Sequence, residues 1–321
     1  PVLNSKIESI SGGELQRVAI AATVLKKADV YIFDEITSYL DIKQRLNVSR
    51  FIRVLANENT SVMIIEHDLI ALDYMTDLIH IMYGKEDCYG IVSLPRTTKN
   101  GINSYLEGFL KEDNIRFRNS KIEFEIKAKE KEKKRIPLTS WKSMEKKLGN
   151  FNLIAEPGEV SKGEAVGVLG ENGIGKTTFV KLLAGVIKPD KGNSDTKIKV
   201  SYKPQYIDST SDELVMNIMK DAIKKYDNEI IAPLNIKPLL TKQINQLSGG
   251  ELQRVAIALS LSKDCNLVLL DEPSAYLDVE QRLKISKVIK NIIEQRNISA
   301  IIVDHDLLFL DYLSDRLLVF K

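Results

Sequence analysis

The sequence predicts an α/β protein built from two homologous domains in tandem. Three observations carry that expectation. Eleven residues, SGGELQRVAIA, occur letter for letter at Ser11–Ala21 and again at Ser248–Ala258, an offset of 248 − 11 = 237 positions. The same offset relates Asp34-Glu35 to Asp271-Glu272, and one position more relates His67 to His305. Short apolar runs alternate with amphipathic segments, the pattern of a largely parallel sheet with helical crossovers. A period this long marks a duplicated domain rather than a solenoid repeat.

In the first half, helical patterns begin near Gly13, Ile42 and Leu69. Val30–Phe33 and Ser61–Glu66 read as buried strands and Leu78–Met82 as a third. Pro95, Gly101 and Gly108 surround an amphipathic piece, Ile102–Leu110, so residues 95–120 are expected to be a hinge with a short helical insert between domains at 1–94 and 121–321. Lys121–Lys127 alternates Ile122, Phe124 and Ile126 with charges and reads as a half-buried strand opening the second domain. There, Ala165–Leu169, Leu267–Leu270 and Ala300–Val303 are the apolar strands.

With 44% hydrophobic and 28% charged residues in a chain of 321, each half has the means to build a core. A formal net charge of +2 gives no reason to expect direct DNA binding. The basic stretch Lys127–Arg135 is interrupted by glutamates and reads as solvated. Cys88 and Cys265 are too few for a disulfide framework or an iron–sulfur cluster. No run approaches the ~20 apolar residues of a membrane span, and Pro1 heads no signal peptide. These features lead to the expectation of a cytoplasmic protein.

The chemistry is concentrated in the second half. Gly170-Glu171-Asn172-Gly173-Ile174-Gly175-Lys176-Thr177-Thr178 matches the phosphate-binding pattern G-x-x-x-x-G-K-[ST]. It follows the apolar strand Ala165–Leu169 and opens a helical run at Thr177–Ala184, the context the mechanism requires. Asn172, Gly173, Gly175 and Thr178 belong to the loop whose backbone amides cradle phosphate oxygens. Lys176 is placed to reach the β- and γ-phosphates, and the Thr177 hydroxyl to ligate Mg²⁺. Leu267–Leu270 ends in Asp271, a candidate metal ligand, and Glu272, a candidate base for the attacking water. Gln205, in Tyr202-Lys203-Pro204-Gln205, is expected to sense both the metal and the γ-phosphate, and His305, after another apolar strand, to contact that phosphate.

Phosphate loop, Gln205, SGGEL-Q, strand-Asp-Glu, Tyr-Leu-Asp and strand-His-Asp, in this order, resemble the ABC-type ATPase cassette, over nearly the whole chain. The resemblance implies tandem P-loop domains with ATP and Mg²⁺ as cofactors. It also implies that two cassettes sandwich ATP head to tail, the phosphate loop of one facing the SGG signature of the other. The first half carries a signature (Ser11, Gly12, Gly13, Glu14), Asp34, Glu35, Asp41 and His67, but no phosphate loop, so the first cassette is incomplete. A single complete composite site is therefore expected. It would join Lys176, Thr177, Gln205, Asp271, Glu272 and His305 to Ser11, Gly13 and Asp41. The orphan site would pair Asp34, Glu35 and His67 with Ser248, Gly249 and Gly250. Lacking a central strand, the first half is expected to expose an apolar edge and face, as part of a longer protein would. Ile36 stands where the second half has Pro273. The family stacks an aromatic on adenine upstream of the phosphate loop. Trp141, Leu148 and Phe151 lie in that region, and the sequence leaves the choice open.

Finer text narrows the family. YLDIKQR against YLDVEQR, HDLIALDYMTD against HDLLFLDYLSD, SYKPQYI, and GINSYLEGFL leading to NIRFR are similar to the ABC-E ribosome-recycling ATPases of archaea and eukaryotes. That resemblance implies ATP-driven closure that splits ribosomes into subunits. It implies the small ribosomal subunit and termination or rescue factors as partners, and a monomer whose cassettes form an internal pseudo-dimer. Iron–sulfur clusters are implied only for an N-terminal domain outside this sequence. The alternatives are the energy-coupling ATPase subunit of a membrane transporter and a nucleotide-gated ribosome-binding scaffold with negligible turnover.

Overall fold

The computed structural model describes residues 5–85, 88–119, 121–122, 136–149, 151–192, 198–205 and 207–321. The chain divides into two units, Pro1–Phe124 and Glu125–Lys321.

The first unit opens with α1 (Gly12–Val24), β1 (Val30–Asp34), α2 (Ile42–Leu55), β2 (Ser61–Ile65) and α3 (Leu69–Met75). β1 and β2 pair in parallel, Val30 opposite Ser61. Tyr31 and Phe33 stack and point into a core with Ile20, Ile36, Ile52, Ala71 and Met75. The strands expected to be buried are buried only in part: Tyr31 and Phe33 are buried and Val62 and Ile64 half-buried, while Val30, Ile32 and Met63 remain 56%, 62% and 57% exposed. This is the exposed apolar face anticipated from the sequence.

The expected strand Leu78–Met82 is split in two because the chain changes partners. β3 (Leu78–Ile79) pairs with β6 (Arg96–Thr97), and β4 (Met82–Lys85) pairs with β5 (Tyr89–Val92). Between them the Ile81 amide donates to the Ser93 hydroxyl. The segment expected to be a hinge is folded against this unit. α4 (Thr98–Glu107) starts four residues earlier than the predicted insert and stops at Gly108, whose φ of +70° ends the helix in the left-handed region. β7 (Phe109–Leu110) and β8 (Ile115–Arg116) then form a hairpin. The guanidinium of Arg96, almost fully buried, donates to Glu112 and Asp113, and the Ile122 amide donates to the Leu106 carbonyl. Of the predicted strand Lys121–Lys127, residues 123–127 lie outside the described residues, and residues 121–122 are not in a strand.

The second unit begins with two antiparallel pairs that the sequence did not announce. These are β9 (Pro137–Trp141) with β12 (Gly158–Ser161), and β10 (Met144–Leu148) with β11 (Phe151–Ala155). Next come β13 (Ala165–Leu169), α5 (Lys176–Leu183), β14 (Val200–Lys203), α6 (Val215–Ile218), α7 (Lys220–Tyr226) and α8 (Gly249–Ser262). The unit closes with β15 (Leu267–Asp271), α9 (Val279–Arg296), β16 (Ser299–Val303), α10 (Leu307–Leu313) and β17 (Arg316–Val319). The last five strands named β form one parallel sheet in the order β14-β15-β16-β13-β17. Alternate residues of β15 serve opposite cores. Val268 and Leu270 face α8 and α9, while Leu267 and Leu269 face α5 and Trp141. Burial on both faces explains why these strands read as continuous apolar runs. Because all five strands run the same way, the loops after β13, β14, β15 and β16 gather at one edge of the sheet, where ligands bind in open α/β folds. Those loops hold the phosphate-binding pattern, Gln205, Glu272 and His305.

Leu269, fully buried in a central strand, is expected to cost about 2–5 kcal/mol of stability when changed to alanine, by lost burial and an unfilled cavity. Val319→Ala, on the sheet edge and 62% exposed, should cost less than about 0.5 kcal/mol. Urea titration of both variants checks the contrast.

Candidate active site

The loop between β13 and α5 turns through Gly173 (φ +76°) and Gly175 (φ +102°), conformations that L side chains rarely adopt. A side chain at Gly175 would also strike the Phe151 ring, 2.8 Å from an added Cβ. Lys176 caps this arrangement from the first position of α5. Its Nζ donates to the carbonyls of Gly170 at 2.7 Å and Glu171 at 2.8 Å. The ammonium is thus held across the mouth of the loop, which leaves Asn172 and Gly173 exposed and Thr177 and Thr178 half-buried. Of the three adenine-stacking candidates, Trp141 belongs to the core: it is 5% exposed, packs edge-on against Phe179 and donates to the Glu156 carbonyl. Phe151 lies against the loop, and Leu148 is 46% exposed.

Asp271 ends β15 with no exposed surface, and among the described residues neither of its carboxylate oxygens meets a hydrogen-bond partner within bonding geometry. Burial pushes this carboxyl up to about 6; the nearby Thr177 hydroxyl and the Lys203 ammonium oppose that rise, and the Glu272 charge adds to it. Two buried, unsatisfied anionic oxygens beside a hydroxyl are a donor set for a hard cation. Thr177, Gln205 and Asp271 therefore fit Mg²⁺. Glu272 follows in the left-handed region at φ +49°, its amide donating to the Val303 carbonyl. This turn aims its carboxylate at His305, with Oε1 3.6 Å from Nε2. Burial works to raise the Glu272 carboxyl, but His305, Gln205 and Lys176 outweigh it and hold it below the usual carboxylate range. Glu272 is therefore ionised at neutral pH and able to accept a proton.

Two groups at this edge escaped the sequence reading. Lys203, at the end of β14, is fully buried and donates to the carbonyls of Asp271 at 2.8 Å and Glu272 at 3.2 Å. Its only sequence signal is a charge closing a buried strand. Asp304, also buried, accepts from the Ser274 hydroxyl at 2.6 Å and from the His305 amide at 2.7 Å. It ties the turn after β15 to the histidine after β16.

The signature helices α1 and α8 begin identically. Ser11 and Ser248 are N-caps, and each accepts from the amide of the glutamate three residues on, Glu14 or Glu251, whose carboxylate returns a bond to the cap amide. Both serines are exposed. The Ser11 amide and hydroxyl hold the Glu14 carboxyl below its ordinary range. Gly250 is required sterically: a Cβ there would lie 2.8 Å from the Tyr276 carbonyl oxygen. Gly12 and Gly249 rest against the rings of Tyr39 and Tyr276. Gly13 is buried, and Asp41 caps α2 by accepting from the Gln44 amide at 2.8 Å, as Asp278 caps α9. Within the first unit, Glu35 repeats the left-handed turn (φ +47°) and lies 3.4 Å from His67. The exposures differ, 50% and 44% for Glu35 and His67 against 19% and 9% for Glu272 and His305.

The folded-state pKa of Asp271, about 6, lies above its ordinary 3.8, so the folded protein holds that proton more tightly than the unfolded chain. The associated stability is complete below about pH 4 and is lost as pH rises to about 6, a loss of about 3 kcal/mol. Asp271→Asn should therefore make the nucleotide-free protein more stable at pH 7, with the difference shrinking toward pH 4. Paired urea titrations at the two pH values test this. Equal midpoints at both would mean that ionising Asp271 carries no such cost.

A family model described as ABC transporter matches residues 1–38 and 157–275. An uncharacterized ABC transporter ATP-binding protein of Methanocaldococcus jannaschii is 54% identical over 100% of this chain and 54% of its own length. ABC transporter E family member 1 of Arabidopsis thaliana is 42% identical over 100% of this chain and 55% of its own length. Among solved structures, a chain from the complex of an archaeal ribosomal stalk protein with an archaeal ribosome recycling factor superposes with a TM-score of 0.90. It is 50% identical, covering 98% of this chain and 62% of that one. The chain spans about half the length of the curated relatives it matches end to end. With phosphate-loop pattern, signature and acid pair all in place, this chain belongs to the ABC transporter E family.

Proposed function

We propose that this protein binds Mg²⁺-ATP and hydrolyses it, and that the cycle drives the separation of ribosomal subunits in the cytoplasm. One observation carries the enzymatic reading. An ionised Glu272 stands 3.6 Å from His305 and next in sequence to Asp271, whose carboxylate oxygens are buried without partners, at the edge where Lys176 closes the phosphate loop. Incoming phosphate oxygens are met by the loop amides, by the α5 N-terminus and by Lys176, whose charge is already held at the mouth of the loop. Magnesium, when bound with ATP, neutralises charge on the phosphates, and Thr177, Gln205 and Asp271 would hold it. Glu272 accepts the proton of the attacking water, while His305 and Gln205 read the γ-phosphate. Ser11, Gly12, Gly13, Glu14 and Asp41, and likewise Ser248, Gly249 and Gly250, are proposed to bind nucleotide. Likeness to an archaeal ribosome recycling factor at 50% identity supports the ribosomal assignment. Iron–sulfur clusters, termination or rescue factors and an internal pseudo-dimer of cassettes in a monomer belong to the same proposal for the longer protein.

Glu272→Gln should lower ATP turnover by about 10² or more while leaving Mg²⁺-ATP binding intact, read by phosphate release and filter retention. Unchanged turnover would remove Glu272 from the chemistry. Sedimentation of the full-length protein with purified small ribosomal subunits should show binding favoured by ATP or a non-hydrolysable analogue over ADP. No binding in any nucleotide state would overturn the ribosomal assignment while leaving the ATPase intact.

A further inference from the structure

Lys203 sits where chemistry, not packing, explains it. β14 alternates half-buried Val200 and Tyr202 with fully buried Ser201 and Lys203. An apolar residue would fill that last position without the cost of desolvating an ammonium, since buried cations are retained where they have work to do. Among the described residues the ammonium makes no direct ion pair. It donates to two successive main-chain carbonyls, Asp271 at 2.8 Å and Glu272 at 3.2 Å. The Glu272 carbonyl also accepts from Gln253 Nε2 at 2.6 Å. Gln253 is 1% exposed and lies on α8, one turn beyond Ser248. Two side chains from different elements therefore converge on the carbonyl of a residue held at φ +49°. The first unit repeats half of this: Gln16 Nε2 donates to the Glu35 carbonyl at 3.1 Å.

We infer that Lys203 and Gln253 are positioning residues for ATP hydrolysis, fixing the left-handed turn that aims the Glu272 carboxylate. The inference rests on the proposed ATPase reading of this site. A left-handed non-glycine residue relaxes unless its surroundings over-determine it, and releasing the carbonyl frees that peptide to rotate and take the carboxylate off line. A misplacement of about 1 Å costs on the order of 10²-fold in rate. The two donors also connect the strand leading to Gln205 and the signature helix to the same peptide unit.

The test uses full-length protein with Lys203→Met and Gln253→Met, alone and combined with Glu272→Gln. For each single variant the expected result is a kcat at least about tenfold lower, a Mg²⁺-ATP Kd within about threefold of wild type, and an unchanged or higher unfolding midpoint for Lys203→Met. Because both residues act through Glu272, neither should lower turnover further in the Glu272→Gln background. Wild-type kcat in both single variants, or losses that multiply fully with Glu272→Gln, would overturn the inference. If Lys203→Met does not fold, Gln253→Met carries the test alone. Undiminished turnover in Glu272→Gln itself would instead sink the underlying ATPase reading.

Discussion

The chain leaves β15 through a glutamate in the left-handed region, and the site depends on that single backbone constraint. An L residue pays about 1–2 kcal/mol for such a conformation, yet here it is held from several directions. The Glu272 amide is bound to β16 through the Val303 carbonyl, and its own carbonyl takes Lys203 and Gln253. With the peptide so fixed, consecutive acids diverge in role. Asp271 stays inside the sheet layer with unsatisfied oxygens, and Glu272 turns outward toward His305. One strand thereby delivers the proposed metal ligand and the proposed base with opposite electrostatic settings.

The first unit reproduces this geometry closely enough to show which parts are intrinsic to the sequence pattern. Glu35 and Tyr39 are left-handed at +47° and +63°, as Glu272 and Tyr276 are at +49° and +62°. Arg45 meets Asp68 as Arg282 meets Asp306. The tie between turn and histidine is rebuilt with different side chains. Thr37 donates its amide to Glu66, where Ser274 donates both amide and hydroxyl to the shorter Asp304. The longer acid reaches from the same strand end to the equivalent turn, so the connection survives the exchange.

The parallel sheet, the phosphate loop and the acid pair were legible because each has a local signature: a continuous apolar run, glycines at fixed spacing, carboxylates closing a strand. Lys203 and Asp304 were not. A lone lysine or aspartate at the end of a strand has the same letter whether it is solvated or buried among hydrogen-bond partners, and only the folded neighbours decide. Gln253 was visible within the repeated motif, but its hydrogen bond spans from helix to turn, which no periodicity reports. The antiparallel pairs β9–β12 and β10–β11 are short and mix polar with apolar residues, and Leu78–Met82 looked continuous because its partner change is imposed by Ser93, well away in sequence. Residues 95–119 carry the glycines and proline of a linker, yet the pairing of Arg96–Thr97 with Leu78–Ile79 and the bond from the Thr98 hydroxyl to the Thr76 carbonyl fold them onto the rest of the first unit.

Strand order has a temporal side. β13, which carries the phosphate loop, lies between β16 and β17, so Ala165 has Ala300 as its partner. A nascent chain that has reached residue 200 holds a finished nucleotide-binding sequence with nothing to bind it in place. Pairings so distant along the chain form slowly and leave apolar strands without neighbours in the meantime. The loop proposed to grip phosphate is thus among the early segments synthesised in its unit and among the late ones to be seated, once residues 299–319 have emerged. A protein proposed to take ribosomes apart acquires its own grip on ATP only as a ribosome completes that stretch.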